Sequence, residues 1–120
     1  IMNKMCKTFG INKNRGISYY DYDKVWHRLI NYVKQNDQSN VIQGSFVGYD
    51  DSPRRGTNGS KIIKGATHKK FAFYFRQFFS SQNKPYIFIT AWNEWGEGAF
   101  LEPDETNGYA YLNELKNILR

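Results

Sequence analysis

Apolar residues fall on helical spacing in three places along this 120-residue chain. Between Asp21 and Asn36, Val25, Leu29 and Val33 recur four apart with Trp26 and Ile30 beside them, behind acidic residues that suit a helix start. One amphipathic helix is predicted there. Phe71, Tyr74, Phe75, Phe78 and Phe79 repeat at intervals of three and four, which predicts a second helix from a Thr67 cap to about Gln82. A third, from Gly108 to Leu119, turns Tyr109, Leu112, Leu115 and Leu119 toward a core. Trp26 and the Phe71–Phe79 stripe read as core for the same reason. Two apolar runs lie between the helices. Val41 to Val47 reads as a short buried strand whose Gly44 and Ser45 admit close approach of a backbone or ligand. Tyr86 to Ala91 is apolar almost throughout and reads as a strand buried on both faces, as in a parallel sheet covered by helices. A long polar segment follows each strand, Gly48–Ala66 and Trp92–Asn107.

The order helix, strand, helix, strand, helix belongs to α/β folds with parallel strands. Two such strands cannot form a sheet alone, because each would leave unpaired edges and apolar faces open. Either residues 1–20 are expected to add little and the sheet is completed elsewhere, or this chain is part of a larger domain. The composition, 40% hydrophobic and 23% charged, is that of a folded chain, and no apolar run approaches the roughly 20 residues that span a bilayer. The first residues, Ile1 to Met5, lack the apolar block of a signal peptide. A single cysteine, Cys6, excludes an internal disulfide and a cysteine-rich zinc site and suits a reducing compartment. No sequence pattern pairs it with His27 or His68 as a nucleophile. A cytoplasmic protein is expected, peripheral attachment at the inner membrane being the alternative.

Charge is distributed unevenly. Residues 1–90 hold 15 basic and 5 acidic side chains, a net +10, whereas residues 91–120 hold 2 and 6, a net −4. No nucleic-acid-binding module accompanies the basic residues, so solvated helix faces account for them and no nucleic-acid partner is expected. The acids gather around Trp92-Asn93-Glu94-Trp95-Gly96-Glu97-Gly98, directly after the second predicted strand. Enzymes of the α/β class place catalytic groups at such strand ends. Glycosidic-bond chemistry needs a pair of carboxyl groups, one protonated to assist the leaving oxygen and one ionised as base or nucleophile. Indole faces also stack on the C–H faces of sugars. Glu94 and Glu97 have those residue types; solvated loop acids beside two packing tryptophans are the plainer reading of the spacing alone.

Three ordered blocks carry a resemblance. The run Ile89 to Asp104, continued by Asn107-Gly108-Tyr109-Ala110-Tyr111-Leu112, resembles the C-terminal pattern of the WbsX-type glycosyltransferase-like family. Tyr49-Asp50-Asp51-Ser52-Pro53-Arg54-Arg55-Gly56 is similar to its aromatic-Asp-Asn-Thr-Pro-Arg-Arg-Gly element, departing at Asp51 and Ser52, and Tyr20-Asp21-Tyr22-Asp23 before a helix also fits. The resemblance implies the C-terminal part of a (β/α)8 TIM-like barrel, α/β with alternating helix and parallel strand, and work in bacterial surface-polysaccharide synthesis, lipopolysaccharide O-antigen or capsule. Since such a barrel typically takes about 250 residues, the chain is expected to supply about half of it, with the other half as its partner within the full-length protein.

The related endo-α-mannosidase family of glycoside hydrolases has an Asn-Glu-Trp-x-Glu-Gly motif that falls on Asn93, Glu94, Trp95, Glu97 and Gly98. It implies Glu94 as base toward a sugar 2-hydroxyl and Glu97 as acid/base. Trp92, Asn93, Trp95, Tyr49, Asp50 and Arg54 are the expected contacts to a sugar or glycan substrate, Asp50 as a hydroxyl acceptor and Arg54 as a planar fork for a carboxylate or diphosphate. The added acid at Asp51 speaks against a phosphate grip by this loop. Glu102 and Asp104 are candidates for the same mouth, although a helix start explains Asp104 as well. Asp21-Tyr22-Asp23 matches an Asp-x-Asp metal pattern, but acids at a helix start are caps first, and no metal is expected. No cofactor is expected beyond a nucleotide-sugar donor if the reaction is transfer. Hydrolysis, a carbohydrate-binding module and an inactive fragment remain the alternatives.

Overall fold

The computed structural model describes residues 16–36 and 40–120. Cys6 lies outside them. The elements are β1 (Ser18–Asp21), α1 (Tyr22–Gln35), β2 (Gly44–Phe46), β3 (Tyr49–Asp50), α2 (Ser52–Arg55), β4 (Lys61–Lys64), α3 (His68–Ser80), β5 (Phe88–Thr90), β6 (Asn93–Glu94), a 3-10 turn (Trp95–Glu97), β7 (Ala99–Phe100) and α4 (Ala110–Ile118). The first two long helices follow the predicted spacing and caps. Asp21 accepts from the Lys24 amide at 2.9 Å, and Thr67 accepts from that of Lys70 at 3.1 Å. Asp21 is thus a cap.

The core is the seam between these helices. Tyr22, Trp26 and Val33 of α1 meet Phe71, Phe75 and Phe78 of α3, all essentially without exposure. Trp26 stacks on Phe46 of β2, ring centroids 5.0 Å apart, and the Tyr22 hydroxyl donates to the Val47 carbonyl at 2.8 Å. Burial drives that phenol far above its ordinary ionisation range. Helix α1 is thereby tied to the chain where it leaves β2. Phe79, expected in the core, is 40% exposed at the edge of the stripe. Likewise Tyr109 and Leu119 stand 66% and 56% exposed, while Leu112 and Leu115 of α4 rest partly buried against the core.

Strands β2 and β5 pair in parallel, Gly44 opposite Phe88 and Phe46 opposite Thr90. Helix α3 lies between them in sequence, so β2, α3 and β5 form one parallel crossover unit. The polar segment 48–66, expected as a loop, contains two strands. β4 pairs in parallel with β1 and antiparallel with β3. Residues 18–21 thus contribute a strand to a sheet of order β1-β4-β3. The expectation that β5 is buried on both faces fails here: Phe88 is 65% exposed. Among the described residues β5 pairs only with β2, and a strand with one neighbour keeps an open edge and an uncovered face.

Two carboxylates bind the frame in a way that responds to acid. Hydrogen bonds from Lys70 and Tyr74 hold Asp23 below its ordinary 3.8, with Lys70 Nζ at 2.6 Å and the Tyr74 hydroxyl at 2.8 Å. This pair joins α1 to α3. Asp104, read as a candidate for the mouth or as a helix-start acid, closes a turn before α4; the side chain and amide of Asn107 and the amide of Thr106 hold it below 3.8. Both groups bind a proton more weakly folded than unfolded, so their stabilisation is complete above 3.8 and is lost as pH falls through their depressed folded values. Thermal melts over acidic pH should therefore show a midpoint that falls below about pH 4, with a shallower fall in Asp23→Asn and Asp104→Asn. An identical acid slope in wild type and both variants would refute this linkage.

Candidate functional site

Parallel neighbours end at the same edge of their sheet, so whatever follows β2 and β5 must emerge side by side. After β2 the backbone stays paired one residue further, the Val47 amide donating to the Thr90 carbonyl at 3.0 Å. The chain then runs into β3 and α2, which carry Tyr49, Asp50 and Arg54. After β5, where the Thr90–Ala91 peptide is cis, it runs into the β6–β7 hairpin, which carries Asn93, Glu94, Trp95 and Glu97. The hairpin pairs Asn93 with Phe100 and Glu94 with Ala99.

Two glycines let the segments touch. Gly98 ends the 3-10 turn in the left-handed region at φ 55°, and a Cβ there would lie 3.2 Å from the Asp50 amide nitrogen. A Cβ on Gly48 would lie 3.2 Å from the Gly98 carbonyl oxygen. Larger side chains would push the hairpin off β3. Across this contact Arg54 Nη2 pairs with Glu97 Oε1. The Arg54 side chain is 54% exposed, and such pairs add little stability. Its significance is positional, because it joins the two sequence blocks at one point. Glu94 is exposed and forms no such pair among the described residues.

The first segment is rigid for reasons of its own. Asp50 accepts both the Ser52 amide, at 2.9 Å, and the Ser52 hydroxyl, at 2.6 Å, through one oxygen, Oδ1. That local turn fixes the carboxylate at the start of α2. Asp51 is 1% exposed, accepts the Lys61 amide at 2.6 Å and pairs with Arg55 at 3.0 Å. The added acid is thus turned inward, where it anchors α2 to β4. Tyr49 donates its hydroxyl to Asp51 at 3.3 Å. Burial first, then the negative charges of Asp51 and Glu97, push its phenol up to about 12, so it remains a neutral hydrogen-bonding group.

Trp92 and Trp95 are 54% and 47% exposed. Trp95 stacks on Phe100 and donates its indole N–H to Glu102. Asn93 is exposed at the hairpin's first strand. The structure thus brings Arg54, Glu97, Tyr49 and Asp50 into one neighbourhood, with Glu94, Trp92, Asn93 and Trp95 on the adjoining hairpin. Sequence reading did not find the roles of Asp51 and Phe100, because their partners, Lys61 ten positions away and Trp95 five, meet them only once β4 and the hairpin fold back.

A profile of the glycosyltransferase WbsX family matches residues 2–115. The chain belongs to the WbsX glycosyltransferase family. Two relatives carry the designation "Uncharacterized protein WxcX", from Xanthomonas campestris pv. campestris strains B100 and ATCC 33913, and each is 37% identical. Each alignment covers 78% of this WbsX-family chain and 14% of the relative. The chain therefore spans about one seventh of the length of the curated relatives it matches. No solved structure matches it. Among the described residues of this WbsX chain, no helix is long and apolar enough to cross a membrane.

Proposed function

We propose that this chain forms part of the active site of a glycosyltransferase of bacterial surface-polysaccharide synthesis, lipopolysaccharide O-antigen or capsule, working in the cytoplasm. The observation that carries this reading is the Arg54–Glu97 pair, which unites the Tyr49–Gly56 block with the Trp92–Gly98 block. In this reading β2 and β5 are neighbouring strands of a (β/α)8 barrel, and their following loops share its mouth. The open edge of β5 is where the next strand of that barrel would pair.

Glu94 acts as base toward a sugar hydroxyl, and Glu97 serves the leaving or attacking oxygen as acid/base. Arg54 presents two parallel N–H groups to the diphosphate of a nucleotide-sugar donor. Donor binding exchanges Glu97 for phosphate as the partner of Arg54, which frees Glu97 to handle a proton. The inward turn of Asp51 supports this use of the loop, since its charge is already matched by Arg55 and the Lys61 amide. Tyr49, Asp50, Trp92, Asn93 and Trp95 supply the remaining sugar contacts.

The full-length protein, incubated with an α-mannoside acceptor with and without nucleotide-sugar donors, distinguishes the two reactions this carboxylate pair can serve. New glycoside formed only with donor is expected. Free sugar released without donor would instead make the protein a hydrolase like the endo-α-mannosidases.

A further inference from the structure

Trp95 is held on two sides by residues of its own hairpin. Its ring lies over Phe100 with centroids 3.8 Å apart and planes 15° from parallel. Its indole N–H donates to Glu102 Oε2 at 2.6 Å. Glu102 is fixed in turn through the backbone, since its amide and that of Leu101 both donate to the Trp92 carbonyl, at 3.1 and 3.0 Å. An indole on a turn can rotate about two side-chain bonds. One stacked on a face and bonded at its edge has a single orientation left. Trp95 is nevertheless 47% exposed. With Phe100 against one face, the other is the open one, and Trp95 sits in the chain between Glu94 and Glu97.

We propose that Glu102 is a positioning residue, which locks Trp95 as a one-sided platform on which a pyranose ring stacks beside the two glutamates. The platform rests on the carbohydrate reading above; the lock does not. Orienting the ring before the sugar arrives removes an ordering cost that binding would otherwise bear.

Indole hydrogen exchange in the ¹⁵N-labelled chain tests the lock, with the Trp95 resonance identified by its loss in Trp95→Phe. Glu102→Ala is expected to speed Trp95 N–H exchange about tenfold and leave the buried Trp26 unchanged, which also reports an intact fold. Glu102→Gln keeps an acceptor oxygen and should stay within about threefold of wild type. Unchanged Trp95 exchange in Glu102→Ala overturns the lock. Methyl α-mannoside, methyl α-glucoside and methyl α-galactoside are then titrated separately. At least one should shift the Trp95 resonance, with affinity reduced about fivefold in Glu102→Ala and recovered in Glu102→Gln. A sugar response equal in wild type and Glu102→Ala overturns the positioning role. Loss of protection without any response to the three pyranosides overturns the platform and counts against the carbohydrate reading, while the lock stands.

Discussion

Glu97→Gln in the full-length protein should lower turnover by about a thousandfold, and Glu94→Gln by a similar factor, with substrate affinity changed far less. Glutamine matches glutamate in shape but neither takes nor gives the proton that glycosyl chemistry requires. Both positions lie on the β6–β7 hairpin, Glu94 exposed and Glu97 partly so, so neither exchange opens a core cavity or leaves a buried charge unpaired. A large rate loss with unchanged thermal stability is therefore assignable to chemistry. The two variants differ in one respect: Glu97→Gln also removes the charge that pairs with Arg54. Steady-state rates with varied donor separate that contribution, because a released Arg54 should alter donor KM in Glu97→Gln and not in Glu94→Gln. Turnover within about threefold of wild type in either variant would remove that glutamate from the proton chemistry.

The second large effect is expected on stability. Asp51→Leu leaves the Lys61 amide, now bonded at 2.6 Å, without its acceptor in a buried place, and it also deprives Tyr49 and Arg55 of theirs. The cost should be about 3 kcal/mol, since bonds to a charged group and a stranded buried donor each weigh that way. In a barrel domain of about 250 residues, about 3 kcal/mol corresponds to a fall of roughly six to twelve degrees in Tm. Asn is the usual residue at this place in the family element that the loop resembles, and Asp51→Asn keeps the acceptor for Lys61 while losing the ion pair with Arg55. It should cost no more than about 1 kcal/mol. Chemical denaturation of the three proteins decides the matter; a loss below about 0.5 kcal/mol in Asp51→Leu would show that α2 is not anchored through this carboxylate.

The helices were legible because their information is local. Val25, Leu29 and Val33 sit one turn apart, and Asp21 and Thr67 are capping residue types at the right places, so spacing and chemistry agree without knowledge of the rest of the molecule. β4 was not legible. Lys61-Ile62-Ile63-Lys64 is four residues long within a polar stretch, and it is a strand because β1, some 40 residues earlier, offers it a parallel partner. The misjudged faces of β5 and α4 share another cause. An apolar run shows that a segment can be buried, whereas burial itself requires a neighbour, and Phe88 and Tyr109 have open surface among the described residues. The hairpin acids stood out through their motif. Their link to Arg54 did not, because it spans 43 positions and follows from β2 and β5 ending at one edge. The Asp51 departure illustrates the limit of counting charge: an acid beside two arginines reads as repulsive to phosphate until its side chain is found turned inward.

If the Arg54 loop and the Glu97 hairpin act as one site, a double-mutant cycle in turnover will show it. Rates are compared for wild type, Arg54→Gln, Glu97→Gln and the double variant under one set of donor and acceptor conditions. Arg54→Gln alone should cost about tenfold, and its added cost in the Glu97→Gln background should shrink to about twofold, because residues that work together are not independent. The same tenfold cost in both backgrounds would contradict a shared site and leave the two loops as neighbours without a common task.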